Sequence, residues 1–180
     1  GETPDGGGSG SIAGVYLEPG SQISAGAGAV SISGRVAQGS VNTPTSGNLW
    51  GLWVGDANGS ASIESTAGDI EFSGDASMFA SNDNGGGFVA YHASVLSQTG
   101  DVNLSGAMGQ KASNTYTGNL VDISGWSSTR FTISTSGQVS VTGSQGGIVD
   151  LRGLKVDNSD SLRIRANNVR VNATSTLRAN

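Results

Sequence analysis

Gly100-Asp-Val-Asn-Leu-Ser-Gly106 is one of four close copies of a phrase that returns along the chain, followed by a fifth, degenerate copy. The copies begin at residues 28, 68, 100, 137 and 167, so successive starts are 40, 32, 37 and 30 residues apart. Apolar residues occupy every second position of each copy, which predicts a strand with one buried face between glycine turns. A unit that returns at such intervals is typical of a stacked repeat fold. The other copies are Gly28-Ala-Val-Ser-Ile-Ser-Gly34, Gly68-Asp-Ile-Glu-Phe-Ser-Gly74, Gly137-Gln-Val-Ser-Val-Thr-Gly143 and Asn167-Asn-Val-Arg-Val-Asn-Ala173.

A second phrase lies between these copies, and its four occurrences align without a gap. They are Gly47-Asn-Leu-Trp-Gly-Leu-Trp53, Gly86-Gly-Phe-Val-Ala-Tyr-His92, Gly118-Asn-Leu-Val-Asp-Ile-Ser124 and Gly146-Gly-Ile-Val-Asp-Leu-Arg152. The residues that we expect to point inward are Trp50, Leu52, Val89, Tyr91, Val121, Ile123, Val149 and Leu151. The apolar residues at the alternate positions, which we expect at a corner between strands, are Leu49, Phe88, Leu120 and Ile148.

A third, looser strand precedes each copy of the first phrase. These strands lie around Ile23, Ile63, Val95, Phe131–Ile133 and Leu162–Ile164. Three short strands in each period predict an all-β fold, a three-sided parallel β-helix of about five coils. Helix-period spacing of apolar residues is nearly absent, and serine and β-branched residues dominate.

Composition limits the class of protein. The 180 residues suit one domain, which we place at residues 11–180 after a flexible linker at residues 1–10. Cysteine is absent, so disulfides and thiolate chemistry are excluded. A net charge of −5 and the lack of a long apolar run argue against nucleic acid and membrane insertion. Six of the nine basic residues lie between residues 152 and 180, as either a solvated face or a specific anion site.

The repeats resemble those of filamentous-haemagglutinin-type exoproteins, which are very large bacterial adhesins exported by two-partner secretion. The phrases that carry the resemblance are Val15-Tyr-Leu-Glu-Pro-Gly-Ser-Gln-Ile-Ser24, Gly100-Asp-Val-Asn-Leu-Ser-Gly106 and Gly137-Gln-Val-Ser-Val-Thr-Gly143. The resemblance covers about residues 11–173 and implies a right-handed β-helical shaft at the bacterial cell surface or outside the cell. It implies attachment to a host or bacterial surface receptor or glycan, and it offers no catalytic residues to carry over. A segment cut from such a shaft would also expose open ends, so end-to-end self-association is expected.

Two acidic residues suggest an enzyme as the main alternative to an adhesin. The alignment stacks Asp122 on Asp150 on the outward face, which would bring two carboxylates to about 5 Å, near the separation in retaining glycosidases. A polysaccharide-active enzyme is therefore the alternative to an adhesin, although an inert solvated pair is the more common outcome. Like charges so placed require a cation nearby, Arg152 or a metal. Asp69, Glu71 and Asp101 could hold Ca²⁺, but solvated acids are the favoured interpretation.

Outward aromatic residues suggest a binding surface. The alignment predicts an outward column of Trp53, His92, Ser124 and Arg152, and exposed tryptophan faces stack well on sugars or partner proteins. Insertions at residues 36–46, 75–85 and 107–117 should emerge along one edge. The residues expected to bind a ligand are Trp53, His92, Arg152, Phe79, Tyr116 and Trp126. We expect no catalytic residue, no metal and no cofactor.

Overall fold

Three parallel β-sheets make up the regular structure. The computed structural model describes residues 12–36, 49–56, 58–77, 85–108, 119–123, 131–144, 147–171 and 175–179. These ranges contain strands β1 to β17 and no helix. We call the three sheets I, II and III. Consecutive strands belong to sheet I, then sheet II, then sheet III, and the next strand belongs to sheet I again. This all-β arrangement, with three sheets paired in parallel register, is consistent with a three-sided parallel β-helix.

Each sheet collects every third strand of the chain. Sheet I contains β1 (Ile12–Leu17), β4 (Leu49–Val54), β7 (Gly85–Ala90), β10 (Asn119–Asp122), β13 (Ile148–Asp150) and β16 (Asn168–Arg170). Sheet II contains β2 (Gln22–Ser24), β5 (Ala61–Ser65), β8 (Ala93–Ser97), β11 (Phe131–Thr135), β14 (Leu154–Ser159) and β17 (Thr176–Ala179). Sheet III contains β3 (Val30–Arg35), β6 (Ile70–Ala76), β9 (Val102–Met108), β12 (Gln138–Gly143) and β15 (Ser161–Arg165).

The inner faces of the three sheets share one apolar core. Phe72 of β6, Phe88 of β7 and Phe131 of β11 are fully buried, and their ring centroids lie 5.8 to 6.1 Å apart. Each of these rings comes from a different sheet, and aromatic pairs at such distances add to the stabilisation by burial. Phe72 of β6 stacks on Leu104 of β9, because the two are register partners and both are buried.

Glycine and hydroxyl side chains hold the corner between sheets II and III. The Ser97 hydroxyl donates to the Gly68 carbonyl (3.1 Å) and accepts from the Gly100 N–H (2.9 Å). Ser65 and Thr135 make the same two kinds of bond in the neighbouring turns. A Cβ on Gly100 would lie 2.3 Å from the Gly68 carbonyl oxygen, so only glycine fits between stacked turns. The first glycine of the second, third and fourth copies is therefore a packing requirement, and the hydroxyl ladder satisfies its backbone.

The structure corrects the predicted fifth copy. The described part of this copy, residues 167–171, does not continue sheet III, because Val169 pairs with Val149 in sheet I and is 44% exposed. The true fifth strand of sheet III is β15, in which Leu162 pairs with Val139. The shift from Gln138 to its partner Ser161 is only 23 residues (161 minus 138), and no glycine precedes the strand. The short spacing and the missing glycine explain why the sequence pattern does not reveal this copy.

The prediction of which residues of the second phrase point inward is confirmed for the last two copies. It is wrong for some residues of the first two copies. Val121, Ile123, Val149 and Leu151 lie in the core as predicted. Phe88 was expected at a corner and instead lies in the core. Of the residues expected in the core, Trp50 and Val89 are buried outside the main cluster, and Tyr91 lies on the outer side against Trp53.

Candidate functional site

Three aromatic rings form a continuous strip on the outer side of sheet I. Trp53 lies between Tyr16 and Tyr91, with ring centroids 5.2 Å and 5.8 Å away. Trp53 points outward because its neighbours Leu52 and Val54 are core residues. Tyr16 is 40% exposed, whereas the other two rings are half-buried. We call Tyr16, Trp53 and Tyr91 the aromatic strip.

The end of strand β4 fixes the central ring. The indole Nε1 of Trp53 donates to the Gly55 carbonyl oxygen at 2.6 Å. Gly55 has φ of 63°, and a Cβ there would lie 2.1 Å from the His92 carbonyl oxygen. A side chain at residue 55 would therefore be strained and would disturb the turn that holds the indole.

Burial and nearby carboxylates raise the pKa of both tyrosine hydroxyls. Burial, and then the carboxylate of Asp56, raise the pKa of Tyr16, whose hydroxyl donates to that carboxylate at 3.3 Å. Burial, and then the charge of Asp122, raise the pKa of Tyr91. Because the ordinary value is about 10, both hydroxyls remain protonated and able to donate hydrogen bonds near neutral pH.

A buried acid pair adjoins the aromatic strip. Asp122 and Asp150 are register partners on neighbouring strands, as predicted. The predicted solvated face is wrong, because Asp122 is 9% exposed and Asp150 is fully buried. The Arg152 guanidinium donates to both oxygens of Asp150, from Nε at 2.9 and 3.0 Å and from Nη2 at 2.7 Å. Arg152 is thus the cation that the stacked acids require, and its hydrogen bond to Asp150 raises the pKa of its guanidinium.

The strip and the acid pair share one register position across sheet I. Successive partners at this position are Tyr16, Trp53, Val89, Asp122, Asp150 and Arg170. We call these six residues the outer column. The neighbouring Tyr91 and Arg152 connect its two parts, since the charge of Asp122 influences both of them. Aromatic faces, phenol hydroxyls, carboxylates and a guanidinium therefore lie along a single line across the strands.

The predicted column of Trp53, His92, Ser124 and Arg152 does not exist as aligned. Trp53 pairs with Val89 rather than with His92, because the shift between β4 and β7 is 36 residues (89 minus 53) instead of 39. His92 is half-buried and follows β7, where its carbonyl accepts the Ala61 N–H at 3.2 Å. Arg152 lies beside Asp150. Phe79, Tyr116, Ser124 and Trp126 lie outside the described residues, as do most residues of the three insertions.

The surface acids considered for calcium serve as hydrogen-bond acceptors for backbone amides. Asp69 Oδ1 accepts the Asp101 N–H, and Asp101 Oδ1 accepts the Gln138 N–H, both at 2.8 Å. Each carboxylate thus links one turn to the next. Among the described residues, no group of three or more His, Asp or Glu side chains is placed to hold a metal ion.

Comparisons with known proteins leave the family open. No protein-family model matches the chain, and neither a curated protein nor a solved structure matches it significantly. In the ranges that the structure describes, no helix is long and apolar enough to cross a membrane.

Proposed function

We propose that this chain is a non-enzymatic binding segment of a bacterial adhesin, secreted or displayed at the cell surface, that attaches to a receptor or glycan. In this proposal the three sheets form a right-handed, three-sided β-helical shaft of about five coils. The resemblance to filamentous-haemagglutinin-type repeats supports the adhesin class, an extracellular location and two-partner secretion. The observation that carries the binding role is the aromatic strip of Tyr16, Trp53 and Tyr91.

The chemistry of the outer column suits a saccharide. Flat aromatic faces stack on the apolar faces of sugar rings, and exposed patches of this kind mark interaction sites. The hydroxyls of Tyr16 and Tyr91 are neutral near pH 7 and could bind sugar hydroxyls beside the rings. Tyr16 and Trp53 lie on paired strands, and the Tyr91 N–H, just after β7, donates to the Val54 carbonyl at 3.1 Å. The backbone beneath the strip is therefore held in place, so little ordering is needed on binding.

The acid pair favours the enzyme alternative in one respect only. Asp122 and Asp150 are adjacent, as two catalytic carboxylates would be. However, Asp150 is fully buried and both of its carboxylate oxygens accept hydrogen bonds from Arg152. A carboxylate so engaged is poorly placed to attack a sugar or to activate water. We therefore assign the pair a structural role within the outer column, next to the aromatic strip that binds the ligand.

A saccharide array that scores both binding and release of reducing ends tests the proposal. Trp53→Ala should abolish glycan binding, Trp53→Phe should retain part of it, and no variant should show cleavage. Ser94→Ala, an exposed change on sheet II, is the matched control and should bind normally. Unchanged binding by Trp53→Ala would overturn the aromatic strip as the site. Cleavage by the parent chain that is lost in Asp122→Asn would favour the enzyme.

A further inference from the structure

A shallow polar groove lies on the outer face of sheet III, away from the aromatic strip. It is lined by Gln138, Ser140 and Thr142 of β12 and by Arg163 and Arg165 of β15. These side chains point outward because the residues between them on the two strands pack in the core. Ser140 pairs with Arg163 and Thr142 pairs with Arg165, so each arginine has a hydroxyl on the adjacent strand, about 4.8 Å away between backbones.

Hydrogen bonds already fix the floor of this groove. Gln138 Nε2 donates to the Ser161 hydroxyl at 2.9 Å, and the Ser140 hydroxyl donates to Asn103 Oδ1. These donors are occupied by protein acceptors. The guanidinium groups of Arg163 and Arg165, together with the Thr142 hydroxyl, are the donors left for a ligand.

The charge of the groove is not balanced locally. Three of the seven basic side chains in the described ranges pair with an acid, in Arg35–Asp75, Arg152–Asp150 and Lys155–Asp157. Within the described ranges neither Arg163 nor Arg165 has such a partner, and no acidic residue lines the groove. Asp101 adjoins the groove at its Gln138 end, where its Oδ1 accepts the Gln138 N–H at 2.8 Å. In the outward column of Arg163 the first acid is Glu71, three strands away beyond Ser140 and Asn103.

We propose that this groove binds an oxyanion, a phosphate or a carboxylate group, between Arg163 and Arg165. Two residues along a strand span about 6.6 Å, so long arginine side chains at positions 163 and 165 can converge on one group. Guanidinium groups match both anions because they donate two parallel N–H bonds. The Thr142 hydroxyl supplies a further donor at the edge. This site lies on a different sheet from the aromatic strip and does not depend on it.

Titration of the full chain with inorganic phosphate, galacturonate and galactose tests the proposal. Galacturonate and galactose differ in that only the former carries a carboxylate, so galactose controls for sugar binding without charge. We expect saturable binding of phosphate or galacturonate, seen as NMR shifts of the β12 and β15 amides. Galactose should not shift these amides. Whichever anion binds identifies the group that the site accepts.

Two double variants distinguish a specific anion site from non-specific attraction by the positive charge of the chain. Arg163→Gln/Arg165→Gln should weaken binding by about tenfold or more, because the charge-assisted hydrogen bonds to the anion are lost. Arg35→Gln/Arg178→Gln removes the same charge from exposed positions on β3 and β17, outside the groove and the outer column, and should leave the affinity within about twofold. Equal weakening by both variants, equal shifts with galactose, or no saturable binding of either anion would overturn the proposal. Circular dichroism should show that both variants remain folded.

Discussion

The corner between sheets II and III and the outer column of sheet I both run across the stacked strands, yet they differ in regularity. At the corner, Ser65, Ser97 and Thr135 occupy equivalent register positions and make equivalent hydrogen bonds. The outer column instead changes from aromatic to acidic to basic along its length. The corner repeats because every turn must satisfy the same backbone groups, whereas the outer column varies where no such requirement applies.

This contrast separates residues that make the fold from residues free to acquire a function. A repeated hydroxyl or glycine marks a site where neighbouring turns meet. A position that breaks the repeat on an otherwise regular surface, as Tyr16 and Trp53 do, can serve recognition without loss of the fold. The comparison predicts that substitutions at the corner lower stability, while those in the aromatic strip lower binding.

The largest effect is expected from Gly100→Ala at the corner. A Cβ there would lie 2.3 Å from the Gly68 carbonyl oxygen, and this backbone atom cannot move aside cheaply. We expect the free energy of unfolding to fall by more than about 3 kcal/mol, measured by chemical denaturation. Gly28→Ala is the matched control, because it is the equivalent glycine and its Cβ would meet only the Ala25 carbonyl oxygen, at 3.3 Å. Similar losses for both would contradict the stacking argument.

A smaller effect is expected from Arg152→Ala, beside Asp150 of the outer column. The variant leaves the fully buried Asp150 carboxylate without its bidentate partner. Breaking such a pair typically costs about 3–5 kcal/mol, and we expect about 3 because Arg152 itself is partly exposed. Thermal and denaturant unfolding measure the loss. In Asp150→Asn/Arg152→Gln both charges are absent, so that variant should be more stable than Arg152→Ala; a less stable one would mean that Arg152 acts through other contacts.

Much of the fold was predictable because its signals are local. Alternating apolar residues such as Val102 and Leu104 mark the strands, and flanking glycines mark the turns. The fifth copy was missed where Asp160 replaces the glycine of the earlier copies and the turn is short. A local sequence pattern cannot reveal a repeat in which the flanking glycine is absent.

The candidate site was predictable only in part, because it depends on register between distant strands. Asp122 and Asp150 were paired correctly, since apolar residues on both strands fix that alignment. Trp53 was misaligned because the run of glycines at 85–87 has no side chains to define register. The burial of Asp150 was missed because alternation shows which side a residue faces, but not whether other parts of the molecule cover that side.

The smallest of these effects is expected from Ser97→Ala, which removes one hydroxyl from the corner ladder without adding bulk. The Gly100 N–H and the Gly68 carbonyl would each lose a partner at a buried position, for a cost of about 1–3 kcal/mol. Ser94→Ala on the same strand is the control, because Ser94 is exposed and should change stability by less than about 0.5 kcal/mol. Hydrogen exchange should also show faster opening at the Gly100 amide in Ser97→Ala but not in Ser94→Ala. Equal stability of the two variants would mean that stacked glycines alone hold the corner and that the hydroxyl ladder is incidental.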